Sequence, residues 1–287
     1  MGETSTQDWS GTDVSIADID SELGELRRLS ADDASTPQQR TSVMTHLAWV
    51  PPPWVDAAER TLSGMGERHP SRTVLLVPYP EDESRLDADL SVHCFPAGET
   101  SVCSEVIELS LRGDRVRAPA SIVLPLLISD LPVFLRWRGE PPFGETQWEQ
   151  LTGVADRLVV DASEWDELRY LELSKVFGRL AVSDIAWART GAWRSALASH
   201  WPAIAEQEVA IRGPRAEAAL VRGWLQARLD RELAPAETAG ELGARLDGEE
   251  VSAPSDVPLS PSELLSAELD RLGRDPIYEQ AAAAAVA

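Results

Sequence analysis

Lysine is almost missing from this chain: Lys175 is the only one in 287 residues, so a catalytic lysine has a single candidate. Cysteine is nearly as scarce. Two cysteines are too few for the disulfide framework of a small secreted domain. No apolar run reaches the roughly 18–20 residues needed to span a bilayer. The opening residues, Met1 to Ser10, are polar and acidic, without the basic and apolar segments of a secretory signal. These absences point to the cytoplasm. Positive charge is also in short supply, with 26 Lys and Arg against 48 Asp and Glu, a net charge of −22. A field of that sign repels nucleic-acid phosphates and anionic lipid, and no basic run offsets it. Neither nucleic acid nor membrane is expected as a partner, and the acidic excess serves solubility by default.

The motifs of the common enzyme classes are missing too. The nearest approach to a dinucleotide-binding loop is Gly64-Met65-Gly66, which ends an expected helix, lacks a third glycine and reads as a helix terminus. There is no P-loop and no Gly-x-Ser-x-Gly elbow. The four histidines, His46, His69, His93 and His200, are not spaced to share a metal with one another or with a cysteine. Forty-eight acidic residues offer too many pairs for an acid–base dyad to stand out. No catalytic residue, metal or cofactor is assigned.

What is present is a chain of ordinary globular composition, 43% hydrophobic and 26% charged, long enough for one large domain or two modest ones. Ser15 and Asp18 form an N-cap signature, and Ile16, Ile19, Leu23 and Leu26 follow as an amphipathic stripe. That helix packs on its own domain or is offered to a partner. Residues 30–40 read as a linker. Strand 43–50, helix 54–68 and strand 73–77 make a βαβ unit. Strands 90–95 and 102–111 form a hairpin, and 118–129 reads as a buried helix. Then come strand 131–137, a stiff loop 138–142, helix 143–153 and strand 157–161. Helical stripes follow at 165–177 and 185–201, then a strand at 208–212 and helices at 216–229 and 262–272. Residues 234–260 look irregular, and the alanines of 281–287 look like a frayed tail. The expected fold class is α/β, with two βα-type layers or subdomains, mixed sheets and a short N-terminal helical extension. The expected divisions are 1–40, 41–130 and 131–287.

Two features suggest a site. If the hairpin loop runs from Pro96 to Ser101, Cys94 faces Cys103 at a distance near disulfide geometry. Two small buried hydrophobes is the favoured reading, and a redox pair is the other. The loops His69-Pro70-Ser71-Arg72 and Arg136-Trp137-Arg138-Gly139-Glu140-Pro141-Pro142 combine arginine, tryptophan and stiff prolines. That combination suits anion binding or a protein hot spot. It equally suits a loop that ends a strand, with Trp137 in the core.

The same loops carry a resemblance. His69-Pro-Ser-Arg72 leads into an apolar strand, followed by Ser104-Glu-Val-Ile-Glu-Leu109 and Ser121-Ile-Val-Leu-Pro-Leu-Leu127. Asp130-Leu-Pro-Val133, Trp137-Arg-Gly-Glu-Pro-Pro142, Arg157-Leu-Val-Val-Asp161 and Gly223-Trp-Leu-Gln-Ala-Arg228 complete the order. This resembles the OpcA family of glucose-6-phosphate dehydrogenase assembly proteins over about residues 40–230, with Leu272 to Tyr278 similar to the family's terminus. The resemblance implies a non-enzymatic partner of glucose-6-phosphate dehydrogenase that favours its active oligomer, and so oxidative pentose phosphate flux. It supplies no catalytic residues. The partner-binding candidates are His69, Arg72, Arg136, Trp137, Arg138, Glu140, Pro141 and Pro142. Residues 234–260 depart from the family pattern, which suggests an incomplete second sheet, and residues 1–40 match it loosely. The other functional reading is a small-molecule module that binds a sugar phosphate or nucleotide through Arg72, Arg136 and Arg138.

Overall fold

The polar opening of the chain is built into a sheet. Ser5–Gly11 is a strand (β1), antiparallel to a long strand that follows some eighty residues later. Between them, Ile16–Asp33 forms an 18-residue helix (α1). Ser15 and Asp18 cap it reciprocally: the Ser15 amide donates to Asp18 Oδ2 at 2.9 Å and the Asp18 amide to Ser15 Oγ at 3.2 Å. Ile19, Leu23 and Leu26 are buried, so the apolar stripe is spent within its own unit. Coordinates come from a computed structural model, which describes residues 5–33, 38–39, 42–63, 65, 69–97, 100–255 and 259–285. Gly64 and Gly66 of the glycine pair lie outside these residues, as do residues 34–37 and 40 of the expected linker, whose first four residues instead continue α1.

Two compact units divide the chain, Met1–Leu158 and Val159–Ala287. This differs from the expected division near residue 130, because strand 133–137 pairs with strand 45–49 of the first unit. In that unit, β2 is Gln38–Gln39, β3 Thr45–Trp49, β4 Arg72–Tyr79, β5 Arg85–Ala97, β6 Thr100–Arg112 and β7 Val133–Trp137. Helices α2 (Val55–Ser63), α3 (Pro119–Val123) and α4 (Thr146–Val154) connect them. The strand order is β1-β5-β6-β4-β3-β7, with β2 on β6. Strands β4, β3 and β7 run parallel and β5–β6 is an antiparallel hairpin.

Every residue of β3 and β7 is buried, as a central parallel strand covered on both faces requires. Along β5 the buried set is Leu86, Ala88, Leu90, Val92 and Cys94, the period-two pattern of a sheet covered on one side. Helix α2 lies on one face, where Val55, Ala58 and Leu62 meet Ala48, Val50 and Leu75. Helix α4 lies on the other, where Trp148 meets Trp137. The expected helix over 118–129 is shorter. It gives way to a 3-10 turn at Leu124–Leu126, because Pro125 has no N–H to continue the ladder.

The chain passes between units in β8 (Arg157–Val160). In the second unit come α5 (Tyr170–Ser174), β9 (Ala181–Asp184), α6 (Ile185–Arg189), α7 (Gly191–Ala198), β10 (Val209–Gly213) and α8 (Arg215–Leu229). Residues 237–250, read as irregular from the sequence, form strands. These are β11 (Glu237–Thr238), β12 (Gly243–Leu246) and β13 (Glu249–Glu250), which complete a four-stranded sheet in the order β11-β10-β12-β13. The missed signal is Asp247-Gly248, a two-residue hairpin turn with both φ values positive, 51° and 83°, the conformation a type I′ turn demands. Two helices remain, α9 (Pro261–Leu269) and α10 (Pro276–Ala285). A Ser260–Glu263 capping box starts α9.

The alanine run is not a frayed tail over its described part. Ala281 and Ala282 are fully buried, and α10 lies so close to α8 that a Cβ on Gly223 would stand 2.3 Å from the Ala281 carbonyl oxygen. Gln226 donates to the Ala284 carbonyl at 3.2 Å, and Tyr278 packs between Phe177 and Trp187. Small residues on both helices permit this approach. Gly223→Ala should therefore overpack the interface and cost about 1–3 kcal/mol, with hydrogen exchange of the α10 amides accelerated first. Unchanged protection of 276–285 would show that α10 slides freely on α8.

Candidate functional site

Because β3, β4 and β7 are parallel, the two loops singled out in the sequence lie at opposite ends of one sheet. His69–Arg72 enters β4 at its amino end, and Arg138–Pro142 leaves β7 at its carboxyl end. The five residues of β3 hold these ends roughly 16 Å apart. They are two locations, and no single patch contains both.

At the carboxyl end the sheet has a switch point. The chain leaves β3 toward α2 on one face and leaves β7 toward α4 on the other, so the two exits diverge. In open α/β sheets this is where a binding crevice forms. Indoles fix the geometry. Trp137 is fully buried, stacked on Trp49 with ring centroids 5.1 Å apart and edge-on to Trp148 at 5.2 Å. Phe143 continues the row at 5.0 Å from Trp148. The Arg138 amide donates to Trp49 O at 3.0 Å, and its guanidinium lies 4.8 Å from the centre of the Trp54 ring. Backbone bonds from Phe143 to Pro141 and from Glu145 to Pro142 tighten the loop.

This arrangement sets how far each contact candidate is buried. Arg136, Trp137, Arg138, Pro141 and His69 are buried, Arg72, Glu140 and Pro142 are half-buried, and none of the eight is exposed. The physical reason is strand β7 itself: covered on both faces, it takes Arg136 and Trp137 inside. Arg136 donates to the Trp137 carbonyl at 2.9 Å. The buried members shape the loop, which leaves Glu140 and Pro142 half-open.

At the amino end, Arg72 is committed elsewhere. Its Nε donates to Glu105 Oε2 at 2.7 Å and its Nη1 to the Leu126 carbonyl at 2.7 Å. Arg27 of α1 donates to the same carboxylate at 2.5 and 3.0 Å. Burial alone would raise the Glu105 pKa, but hydrogen bonds and charge from Arg27 and Arg72 outweigh it and hold the carboxyl below its usual range. An anion-binding role for Arg72 is thereby weakened, since a carboxylate of the chain already occupies it. Deeper in, burial, with the charges of Arg136 and His69, lowers His46 to about 4.

The hairpin register is the one the sequence allowed. Phe95 opposes Val102 and Cys94 opposes Cys103. The two cysteines are joined as a disulfide across a Cα separation of 4.1 Å, and among the described residues no cysteine is free. The favoured reading, two reduced hydrophobes, is replaced by a cross-strand bond.

The second unit holds a carboxylate cluster that the sequence did not reveal. Asp161, Asp184 and Glu217 are all buried. Arg189 donates to both Asp161 oxygens at 3.0 and 2.7 Å and to Glu217 at 3.3 Å. Asp184, at the end of β9, accepts from the Ala162 and Ala186 amides and from Tyr170 Oη at 3.1 Å. Burial and the neighbouring Asp161 nonetheless raise it to about 7. It can hold a proton near neutrality, but only 1% of its surface is open. Its strand was illegible because four residues show no period.

The fold and these sites define a mixed α/β protein with two sheets and a rigid, aromatic-backed loop at a sheet switch point. Among the described residues no cluster could hold a metal, and no helix is long and apolar enough to cross a membrane. Residues 64–174 match the family described as the glucose-6-phosphate dehydrogenase subunit N-terminal domain. The chain is 26% identical over 178 residues to a Synechocystis protein provisionally named OxPP cycle protein OpcA, a match covering 56% of this chain and 37% of that one. Its counterpart from Nostoc punctiforme is 26% identical over 182 residues, covering 57% and 38%. That from Synechococcus elongatus is 23% identical over 180 residues, covering 56% and 40%. The chain resembles the OpcA family, as its loops and their order suggested. It matches less than half the length of these relatives.

Two measurements probe the buried ions. Glu105→Gln strands two guanidinium groups and should cost about 3–5 kcal/mol in denaturant unfolding, whereas Glu25→Gln, which removes only an exposed ion pair with Arg28, should leave the midpoint unchanged. A Glu105→Gln loss no larger than that control would show that the pairs do not hold α1. The pH dependence has two opposed parts. Between pH 6.5 and 4 the unfolded chain protonates His46 while the folded chain does not, so this contribution to stability, on the order of 3 kcal/mol, is full above 6.5 and lost on acidification. Asp184 works the other way: the folded chain keeps a proton between pH 3.8 and 7 that the unfolded chain releases, so stability falls as pH rises. Asp184→Asn should therefore steepen the gain in stability from pH 4 to 6.5, and His46→Gln should reverse it. Parallel pH profiles in wild type and both variants would refute the assignment.

Proposed function

We propose that this chain is a non-catalytic protein partner of glucose-6-phosphate dehydrogenase and that its binding favours the active oligomer of that enzyme, raising oxidative pentose phosphate flux. The observation that carries the reading is the match of residues 64–174 to the dehydrogenase-subunit domain family, a span that includes β4 through α5 and both distinctive loops. The names of the three cyanobacterial relatives place them in the same pathway. The sequence offers no motif of a known catalytic class, and a net charge of −22 disfavours nucleic acid and anionic membranes as alternatives.

Binding energy activates an enzyme only through a difference: the chain must bind the assembled state more tightly than the inactive one. A contact surface that is rigid before binding serves this best, because little ordering entropy is lost on association. The loop Arg138–Pro142, braced by Trp49, Trp54, Trp137 and Trp148, meets that requirement. Its contact residues are Glu140 and Pro142, with Arg136, Trp137, Arg138 and Pro141 positioning them. His69 and Arg72 support the opposite end of the sheet. Cys94 and Cys103 are a redox pair that sets the stiffness of the β5–β6 hairpin.

The test mixes the full chain with glucose-6-phosphate dehydrogenase from the same organism and follows NADPH formation together with oligomer mass, with the disulfide closed and after reduction by a dithiol. Activity and assembled mass should rise together and saturate, and the reduced protein should act at a different concentration. No change in either quantity, in either redox state, would overturn the assigned partner. Equal action before and after reduction would overturn the redox pair alone.

A further inference from the structure

Of the ten tryptophans in the chain, nine are buried or half-buried. Trp201 is the exception, with 64% of its surface open to solvent. Its neighbours His200, Pro202 and Ala203 are exposed with it, so the turn after α7 presents a contiguous, largely apolar tip. A single exposed leucine needs no explanation, but an indole has much to gain from burial and is among the side chains enriched in binding hot spots.

The tip is also held still. The Trp201 amide donates to the Ala198 carbonyl at 3.1 Å, that of Ile204 to His200 at 3.0 Å and that of Glu206 to Ala203 at 3.1 Å. Ile204, just beyond, is buried in the core formed by α8 and the second sheet. From behind, Arg231 donates to the carbonyls of Ile204 at 3.3 Å and Gln207 at 2.5 Å. The turn therefore needs no ordering when it meets a partner. The exposed charges of this turn and of the end of α8 that braces it are acidic apart from Arg228. Glu206 is exposed in the same turn, and Asp230 and Glu232 are exposed on either side of Arg231, whose guanidinium is turned inward onto the turn.

We infer that the Trp201 tip is a second contact anchor on the protein partner, seated in an apolar pocket with a basic rim. The inference rests on glucose-6-phosphate dehydrogenase being that partner. It lies outside residues 64–174 and assigns the second unit a binding role of its own. The indole supplies buried area at the centre, and the three carboxylates supply a rim that attracts and orients a basic surface.

The test titrates the purified dehydrogenase with the full chain and with three variants. Trp201→Ala should weaken binding by about 30-fold or more with little change in melting temperature, since most of the residue lies open to solvent. Trp201→Phe should restore most of the affinity. Glu206→Lys with Glu232→Lys should slow association and reduce its salt dependence. Wild-type binding with Trp201→Ala within twofold of it overturns the anchor and leaves the partner standing. No binding by the wild-type chain overturns both. A Trp201→Ala chain that melts early and is not rescued by Trp201→Phe shows a structural role and also overturns the anchor.

Discussion

One buried carboxylate sets the geometry of the first unit. Glu105 on β6 takes Arg27 from α1, 78 residues earlier, and Arg72 from β4, 33 residues earlier. Packing on an apolar face leaves a helix free to slide by a turn. A carboxylate gripped by two guanidinium groups does not, because a displaced partner leaves a buried charge uncompensated. Helix α1 is thereby indexed against the sheet, and with it β1, which the same stretch of chain lays along β5. What composition presents as a loose acidic extension becomes an integral edge of the sheet.

The aromatic row at the other end works by shape. Trp49 and Trp137 are register partners on adjacent strands, so their stacking follows from strand pairing, and Trp148 closes the row from α4. The loop after β7 inherits its rigidity from this row. The sequence made that loop conspicuous, yet its most conspicuous residues are the ones taken inside. Conspicuousness measured the cost of building the loop, and what it leaves half-open is the less distinctive Glu140 and Pro142.

Where elements were long and strongly periodic, the sequence was a good guide. The stripe of α1, the βαβ unit around α2, the hairpin and its cysteine register, and α8 were all legible, because each is dictated by local burial patterns. The failures have physical causes. Strands β9, β11, β12 and β13 span two to four residues, too few to show alternation, and they are held by neighbours rather than by propensity. Prolines around 235–261 suggested irregularity, but Asp247-Gly248 was the informative pair. The alanines of α10 carry no amphipathic signal, since their burial depends on Gly223 of a different helix. The Asp161–Asp184–Arg189–Glu217 cluster was hidden for the same reason: it is assembled from four segments that no spacing rule connects.

The switch point between β3 and β7 has a consequence for how the unit is made. The β5–β6 hairpin and the β3–α2–β4 crossover join neighbours along the chain and can form as soon as those residues exist. The pairing of β3 with β7 must instead close a loop from Leu47 to Leu135, and β1 reaches β5 over a comparable span. Such distant closures are entropically late and slow folding. Until β7 arrives, β3 offers an open edge, apolar over Leu47 to Trp49, to any passing chain. The tryptophan pair that stiffens the mature loop is thus also the latch that ends this exposure, and the unit's most vulnerable moment in the cell lies in the interval before Trp137 meets Trp49.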